Sequence, residues 1–230
     1  MNQGKICVSV GAPDVESLVR MIQPDKQLID VAEVRLDAMD RPEVEHCMQR
    51  INLPLLFTNR PAWEGGAFSG EEKKRLQPLL QAVRLQAAYV DFELRADRSM
   101  RQRLLAEKQN SATRLILSWH DFSKTPSAGE LAALVLEMQA ADADIGKLVT
   151  TAHCAGDVQR VLALLQQAGE MDFPLIAFCM GQAGKISRFA TVFLGGYMTY
   201  VASSAGAVTA SGQFAADHFY QLYTMFTDEH

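Results

Sequence analysis

The sequence has no long unbroken apolar stretch. No run approaches the ~18 residues needed to cross a bilayer, which speaks against a membrane-spanning helix. The amino terminus passes from Met-Asn-Gln-Gly-Lys straight into the short run Ile-Cys-Val-Ser-Val at 6–10. It lacks the apolar core and small-residue cleavage site of a secretory signal, so a cytoplasmic location is expected. Cysteine is scarce and scattered: Cys7, Cys47, Cys154 and Cys179 form no C-x-x-C pair and no zinc-type spacing. They are expected to be buried, reduced thiols rather than a disulfide framework. A basic excess is missing too, with 22 Lys and Arg against 27 Asp and Glu and a net charge of −5. That balance argues against a nucleic-acid partner or an anionic membrane surface. No G-x-G-x-x-G or Walker sequence follows any apolar run, and no linker, low-complexity segment or charge block marks a boundary. A single domain over 1–230 is expected.

What the chain does have is rhythm. Short apolar runs at 6–10, 31–36, 55–59, 89–94, 115–120, 145–150, 175–179 and 198–201 read as strands. Between them lie helical patterns at 15–22, 44–51, 71–85, 99–108, 128–141, 158–168, 186–193 and 214–225. Leu131, Leu134, Val135 and Met138 show the helical spacing. Ser127 and Asp157 are expected as N-caps, and Gly169 as a helix stop. Eight consecutive βα units fit an α/β fold with one (β/α)8 (TIM) barrel. A doubly wound open sheet is the alternative, usually marked by a glycine-rich phosphate loop.

Strand parity then singles out the chemistry. Glu33, Arg35 and Asp37 share one parity of the second strand, Asp91 and Glu93 of the fourth, and Ile116, Ser118 and His120 of the fifth. In a barrel that parity faces inward, and the charges gather towards the carboxyl ends of the strands, where barrel active sites lie. Arg35, Arg60, Lys147 and Arg188 supply cations there, which points to an anionic or polyhydroxylated small molecule. Any one arginine could equally sit in an ion pair with Glu33, Asp37 or Glu93. Lys147, in Asp-Ile-Gly-Lys-Leu-Val-Thr-Thr, is expected among cationic neighbours in a partly dry interior, conditions that leave a neutral, imine-forming amine. His120 ends the neighbouring strand and suits proton transfer beside such a lysine. His46 and His153 fall in helix and loop segments and carry no expected role. No ligand set for a metal is visible.

The chain resembles the type I 3-dehydroquinate dehydratases, Schiff-base enzymes of the shikimate pathway. The resemblance rests on Glu33-Val-Arg35-Leu-Asp37, Phe57-Thr58-Asn59-Arg60 with Glu64-Gly65-Gly66, and Ser118-Trp119-His120-Asp121-Phe122. It continues through Lys147, Ile186-Ser187-Arg188 and Ser211-Gly212-Gln213. It implies that Lys147 forms an imine with the ketone of 3-dehydroquinate. His120 would remove a C2 proton and return it to the departing C1 hydroxyl, for net syn loss of water, with Glu64 tuning His120. Arg188 would hold the substrate carboxylate, helped by Thr209 and by Gln213 opening the last helix. Glu33, Arg35 and Arg60 would read the ring hydroxyls and Ser9 would line the floor. It further implies a homodimer working without cofactor or metal. The chain departs from the family pattern at Thr209-Ala210-Ser211 (usually Ser-Ala-Pro), at Leu148-Val149 (usually Ile-Ala) and at Gly181 (often serine). It also starts at the first strand, with no room for a hairpin closing the barrel bottom. Two rivals are a Schiff-base aldolase or transaldolase on the same barrel, and a ligand-sensing barrel without chemistry.

Overall fold

The computed structural model describes residues 3–205 and 212–227. The elements alternate as β1 (Lys5–Val10), α1 (Val15–Ile22), β2 (Val31–Arg35), α2 (Val44–Arg50), β3 (Leu55–Thr58), α3 (Glu72–Arg84), β4 (Tyr89–Glu93) and α4 (Arg98–Lys108). They continue as β5 (Arg114–His120), α5 (Ala128–Ala140), β6 (Ile145–Thr151), α6 (Ala155–Glu170), β7 (Leu175–Met180), α7 (Lys185–Ala190), β8 (Met198–Ala202) and α8 (Ala216–Thr227). Each expected strand and helix is present, with ends displaced by a few residues. No helix among the described residues is long and apolar enough to cross a membrane.

All ladders are parallel, in the order β7-β6-β5-β4-β3-β2-β1-β8, so the sheet curls until β1 meets β8. The expected (β/α)8 barrel is thus nearly closed. Between β7 and β8 the described residues form no ladder. That joint is held by other bonds: Tyr197 N–H donates to the Leu175 carbonyl at 2.8 Å. Cys179 N–H donates to Ser187 Oγ at 2.7 Å and Thr199 Oγ1 to the Arg188 carbonyl at 2.6 Å. The start of α7 therefore serves as the joint's filler.

Alternation along the strands produces two cores. One parity, including Val8, Val34, Phe57, Val90, Leu117 and Leu148, packs outward under the helices. The other, including Cys7, Val31, Leu56, Tyr89, Ile116, Ile145, Ile176 and Met198, fills the lower barrel. Full burial of such aliphatic or aromatic side chains stabilises the fold by about 1.5–3 kcal/mol each. The bottom is closed by a polar aromatic plug: the Tyr89 and Tyr197 hydroxyls lie 2.9 Å apart. Arg114 donates to the Tyr197 hydroxyl at 2.7 Å while its guanidinium stacks 4.8 Å from that ring.

Local capping is partly as expected. Ser127 caps α5 in a capping box with Glu130, and Leu131, Leu134, Val135 and Met138 form that helix's buried stripe. Asp157 is not an N-cap. It stands one turn inside α6, where its carboxylate accepts from the N–H of His153 at 2.8 Å and of Cys154 at 3.3 Å. Cys154, at the cap position, is exposed, whereas Cys7, Cys47 and Cys179 are buried as expected. Nor does Gly169 stop α6: the helix continues to Glu170, and the turn is made by Asp172 at φ 52°, with Phe173 N–H reaching the Ala168 carbonyl at 2.9 Å.

Candidate active site

At the carboxyl ends of the strands the barrel opens into a cavity. Its lining includes Ser9, Glu33, Arg35, Arg60, Glu64, His120, Lys147, Arg188 and Gln213. Nine of the ten sequence-derived site residues therefore share one cavity. The tenth, Thr209, lies outside the described residues. Gln213 reaches the cavity from the segment ahead of α8 rather than from the helix itself, which begins at Ala216. That segment is seated by two left-handed glycines, Gly212 at φ 78° and Gly181 at φ 81°. A Cβ on Gly212 would stand 3.1 Å from the Gly181 carbonyl oxygen. A serine at 181 would be strained in this backbone, which accounts for the glycine there.

From β1 to β5 the wall is a lattice of charge. Glu33 accepts from Ser9 Oγ and, at 2.8 Å, from Thr58 Oγ1. Arg35 forks onto Asp37 at 2.9 and 2.6 Å, and Asp37 also accepts from the N–H groups of Arg60 and Ala67 at 3.1 and 3.0 Å. Arg60, just past β3, is the hub. Its guanidinium reaches Glu93 at 2.6 Å, Ser118 Oγ at 2.7 Å, Asp91 at 2.8 Å and Glu64 at 3.2 Å. The loop after it must hug the hub: a Cβ on Gly66 would meet the Arg60 carbonyl oxygen at 2.0 Å. Glu64 Oε2 lies 3.4 Å from His120 Nδ1, and the His120 ring stacks on Phe122 with centroids 5.9 Å apart.

Lys147 is the buried lysine among the described residues, projecting from β6 beneath this lattice. Its expected cationic surroundings are corrected: the nearest charges are carboxylates, Asp91 at 3.0 Å and Glu33 at 3.9 Å, and its Nζ sits 4.1 Å above the Tyr200 ring. The wall from β6 to β8 is apolar, built of Val149, Phe178, Met180 and Tyr200. Arg188 enters over it from α7, its guanidinium 4.6 Å from the Phe178 ring centroid.

Burial sets the protonation states. It pushes the Glu64 carboxyl up to about 8, against the pull of Arg60 and with the push of Glu93 and Asp91. Burial, then Arg60 and Lys147, drive His120 well below its ordinary value. Near neutrality the imidazole is therefore uncharged and able to accept a proton, with the carboxyl beside it largely protonated. Burial also brings Arg188 down to about 10. Asp91 behaves oppositely: burial would raise it, but Arg60, Lys147 and Ser118 hold it below the usual carboxylate range.

Asp91, Glu93, Ser118, Tyr200 and Arg75 belong to this constellation; the sequence offered Glu93 as an ion-pair partner for an arginine, as it is for Arg60, and gave the other four no role. For the first three the inward strand parity was the available signal. For Arg75 the signal was helical spacing, because it shares the buried face of α3 with Leu79, Ala82 and Val83.

A parallel eight-stranded barrel whose buried lysine, imidazole and guanidinium groups gather at the carboxyl-terminal mouth defines a barrel enzyme of small-molecule chemistry. The comparisons narrow the class. The chain belongs to the type I 3-dehydroquinase family, whose model matches residues 6–230. It is 44% identical to a 3-dehydroquinate dehydratase of Desulfotalea psychrophila over 98% of this chain and 100% of that one. A 3-dehydroquinate dehydratase of Methanocaldococcus jannaschii is 30% identical over 96% of this chain and 98% of its own length. Among solved structures, the 3-dehydroquinate dehydratase of Geobacillus kaustophilus superposes with a TM-score of 0.87 at 25% identity, covering 98% of this chain and 91% of that one.

Proposed function

We propose that this protein is a hydro-lyase that converts 3-dehydroquinate to 3-dehydroshikimate, acting as one catalytic domain over 1–230. The observation that carries the mechanism is the meeting of a buried lysine and a carboxyl-paired imidazole in one cavity. Lys147 Nζ, passing one of its protons to the departing oxygen, adds to the C3 ketone, and loss of that oxygen as water leaves a protonated imine. His120 takes a proton from C2, and the electron pair moves into the imine as an enamine. The enamine then expels the C1 hydroxyl, which leaves as water with the proton returned by His120. Hydrolysis of the conjugated imine frees Lys147 and the enone. Glu64 orients the imidazole and tunes its proton affinity.

Arg188 and Gln213 hold the substrate carboxylate, with Thr209 as a further contact. Glu33, Arg35 and Ser9 address the ring hydroxyls. Arg60 has both terminal nitrogens engaged by Glu64, Asp91, Glu93 and Ser118, so its part in reading the hydroxyls is played by aligning those groups.

The homodimer is supported by an apolar face formed by α7, the turn after it and α8. There Ile186, Leu194, Leu222, Met225 and Phe226 are 39–75% exposed. Free rather than bridged cysteines support a cytoplasmic location.

The test of the chemistry is direct. The protein should generate ultraviolet absorbance of a conjugated enoate from 3-dehydroquinate. Borohydride added during turnover should inactivate it and leave a mass adduct on the peptide bearing Lys147. Turnover without an adduct, or an adduct on another lysine, would refute the imine mechanism; absence of the enoate would refute the activity.

A further inference from the structure

Arg75 is an anomaly of placement. It belongs to α3, outside the barrel, yet its side chain is 0% exposed and reaches inward past Phe92, 4.7 Å from that ring centroid. It is tied to the strand end by reciprocal bonds. Arg75 donates to the Asn59 carbonyl at 2.8 Å, and Asn59 Nδ2 donates to the Arg75 carbonyl at 2.9 Å. Its guanidinium hydrogen-bonds Glu72 at 2.5 and 2.7 Å on one side and forms an ion pair, out of line for a hydrogen bond, with Glu93 Oε2 at 2.6 Å on the other. The other oxygen of Glu93 binds Arg60 at 2.6 Å, Arg60 binds Glu64 at 3.2 Å, and Glu64 faces His120 at 3.4 Å. A line of alternating carboxyl and guanidinium groups thus runs from a partly exposed carboxylate on an outer helix to the imidazole in the mouth. A buried ion pair is a poor device for stability alone, since packed apolar residues serve as well or better.

We infer that Arg75 and Glu93 are positioning residues for the acid–base pair: the strut they form fixes the Arg60 guanidinium against Glu64 and sets the charge that His120 experiences. The inference deepens the proposed mechanism and rests on His120 being its base. The charged and titratable groups facing Glu64 are Arg60, Glu93, Asp91 and His120; those facing His120 include Arg60, Lys147, Asp91, Arg35 and Glu64. Those facing Glu93 are Arg60, Arg75 and Asp91. Glu93 is the member whose charge can be removed at nearly constant shape.

The sign follows from electrostatics. Burial raises the Glu93 carboxyl while Arg60 and Arg75 pull it back towards the ionised form, and Glu93→Gln removes that negative charge from beside the Glu64–His120 pair, so both proton affinities of the pair fall. The acid limb of the kcat/KM profile should move to lower pH by about one unit. The ring resonances of His120, titrated by NMR in ligand-free protein, should move in the same direction. KM on the plateau should stay within about twofold, because neither strut residue is assigned a substrate contact. Glu72→Gln, at the partly exposed end, should shift both readouts the same way by a few tenths of a unit, and high salt should erase much of that shift. Folding is checked by circular dichroism, and Glu72→Gln carries the test should Glu93→Gln fail to fold.

An unmoved acid limb and an unmoved His120 titration in folded Glu93→Gln would overturn the inference. So would a fall in plateau kcat with the limb unshifted, the mark of a merely structural brace. If Glu72→Gln has to stand alone, an absent or opposite shift overturns it. Failure of the proposed chemistry is distinguishable, since that would appear in wild type as no enoate and no Lys147 adduct. The ligand-free titration reports on the strut either way.

Discussion

The two walls of the mouth solve opposite problems. The wall from β1 to β5 buries many charges and answers them internally, with Arg60 alone meeting Glu64, Asp91 and Glu93. The wall from β6 to β8 is built of Val149, Phe178, Met180 and Tyr200, with Arg188 laid over the Phe178 ring. A lattice whose charges are already paired among themselves gains little from a further ion, and it is suited to holding groups in place and setting their protonation. A cation whose proton affinity has been lowered by burial is suited to receive a desolvated anion. Under the proposed mechanism the difference puts proton transfer on one side and capture of the carboxylate on the other, with Lys147 standing where they meet.

The sharpest way to break this division is His120→Ala. Loss of the acid–base group on the charged wall should lower kcat by about 10²–10⁴-fold, while borohydride still traps substrate on Lys147. Near-normal turnover would mean that the charged wall does not move the proton.

Next in size is the capture wall. Arg188→Ala should raise KM about 30-fold or more, corresponding to the roughly 2–5 kcal/mol lost when one partner of a desolvated charge pair is removed. Gln213→Ala should cost less, and Arg188→Lys should recover part of the loss. Steady-state kinetics on the three variants gives the ranking, and a normal KM in Arg188→Ala would end the distinction between the walls.

The smallest effect concerns stability. Glu64, pushed from 4.5 to about 8 in the fold, binds its proton more tightly there than in the unfolded chain. Its ionisation therefore weakens the fold as pH rises from roughly 4.5 through 8. His120 works in the other direction. Held below its ordinary 6.5, it costs stability as pH falls through that value and the unfolded chain takes up the proton. Glu64→Gln should flatten the decline of Tm between about pH 5 and 9 relative to wild type, as read by differential scanning calorimetry. An identical slope in both proteins would show that Glu64 is not the group responsible.

The βα rhythm was legible because each strand needs short apolar runs and each helix a periodic stripe, both properties of adjacent residues. Strand parity likewise carried Glu33, Arg35, His120 and Lys147 to the interior. Which carboxylate meets which cation was not legible. Asp91 reaches Lys147 only because the register sets Glu93 opposite Ser118 and Ser118 opposite Lys147, and register between strands is fixed by the whole barrel. The capping errors have a similar source. As an N-cap Asp157 would accept from amides two or three residues further on, whereas inside α6 it reaches back to those of His153 and Cys154, and composition alone does not choose between the two. Arg75 was hidden by its type: an arginine on a helix reads as a solvated surface group unless its position on the apolar stripe is weighed against its charge.

One joint of the barrel leaves its own mark on how the enzyme meets its ligand. A hoop riveted all the way round resists widening everywhere equally. This hoop has one unriveted seam, where α7 lends Ser187 and the Arg188 carbonyl in place of a ladder between β7 and β8. The seam's filler and the arginine proposed to hold the substrate carboxylate belong to the same short segment. Any spreading of the seam therefore shifts the Arg188 guanidinium relative to Lys147, which is anchored on both sides by the β5 and β7 ladders. A bound anion that spans the two becomes a rivet in its own right. It should slow amide exchange selectively in β7 and β8, leaving the rest of the ring as it was.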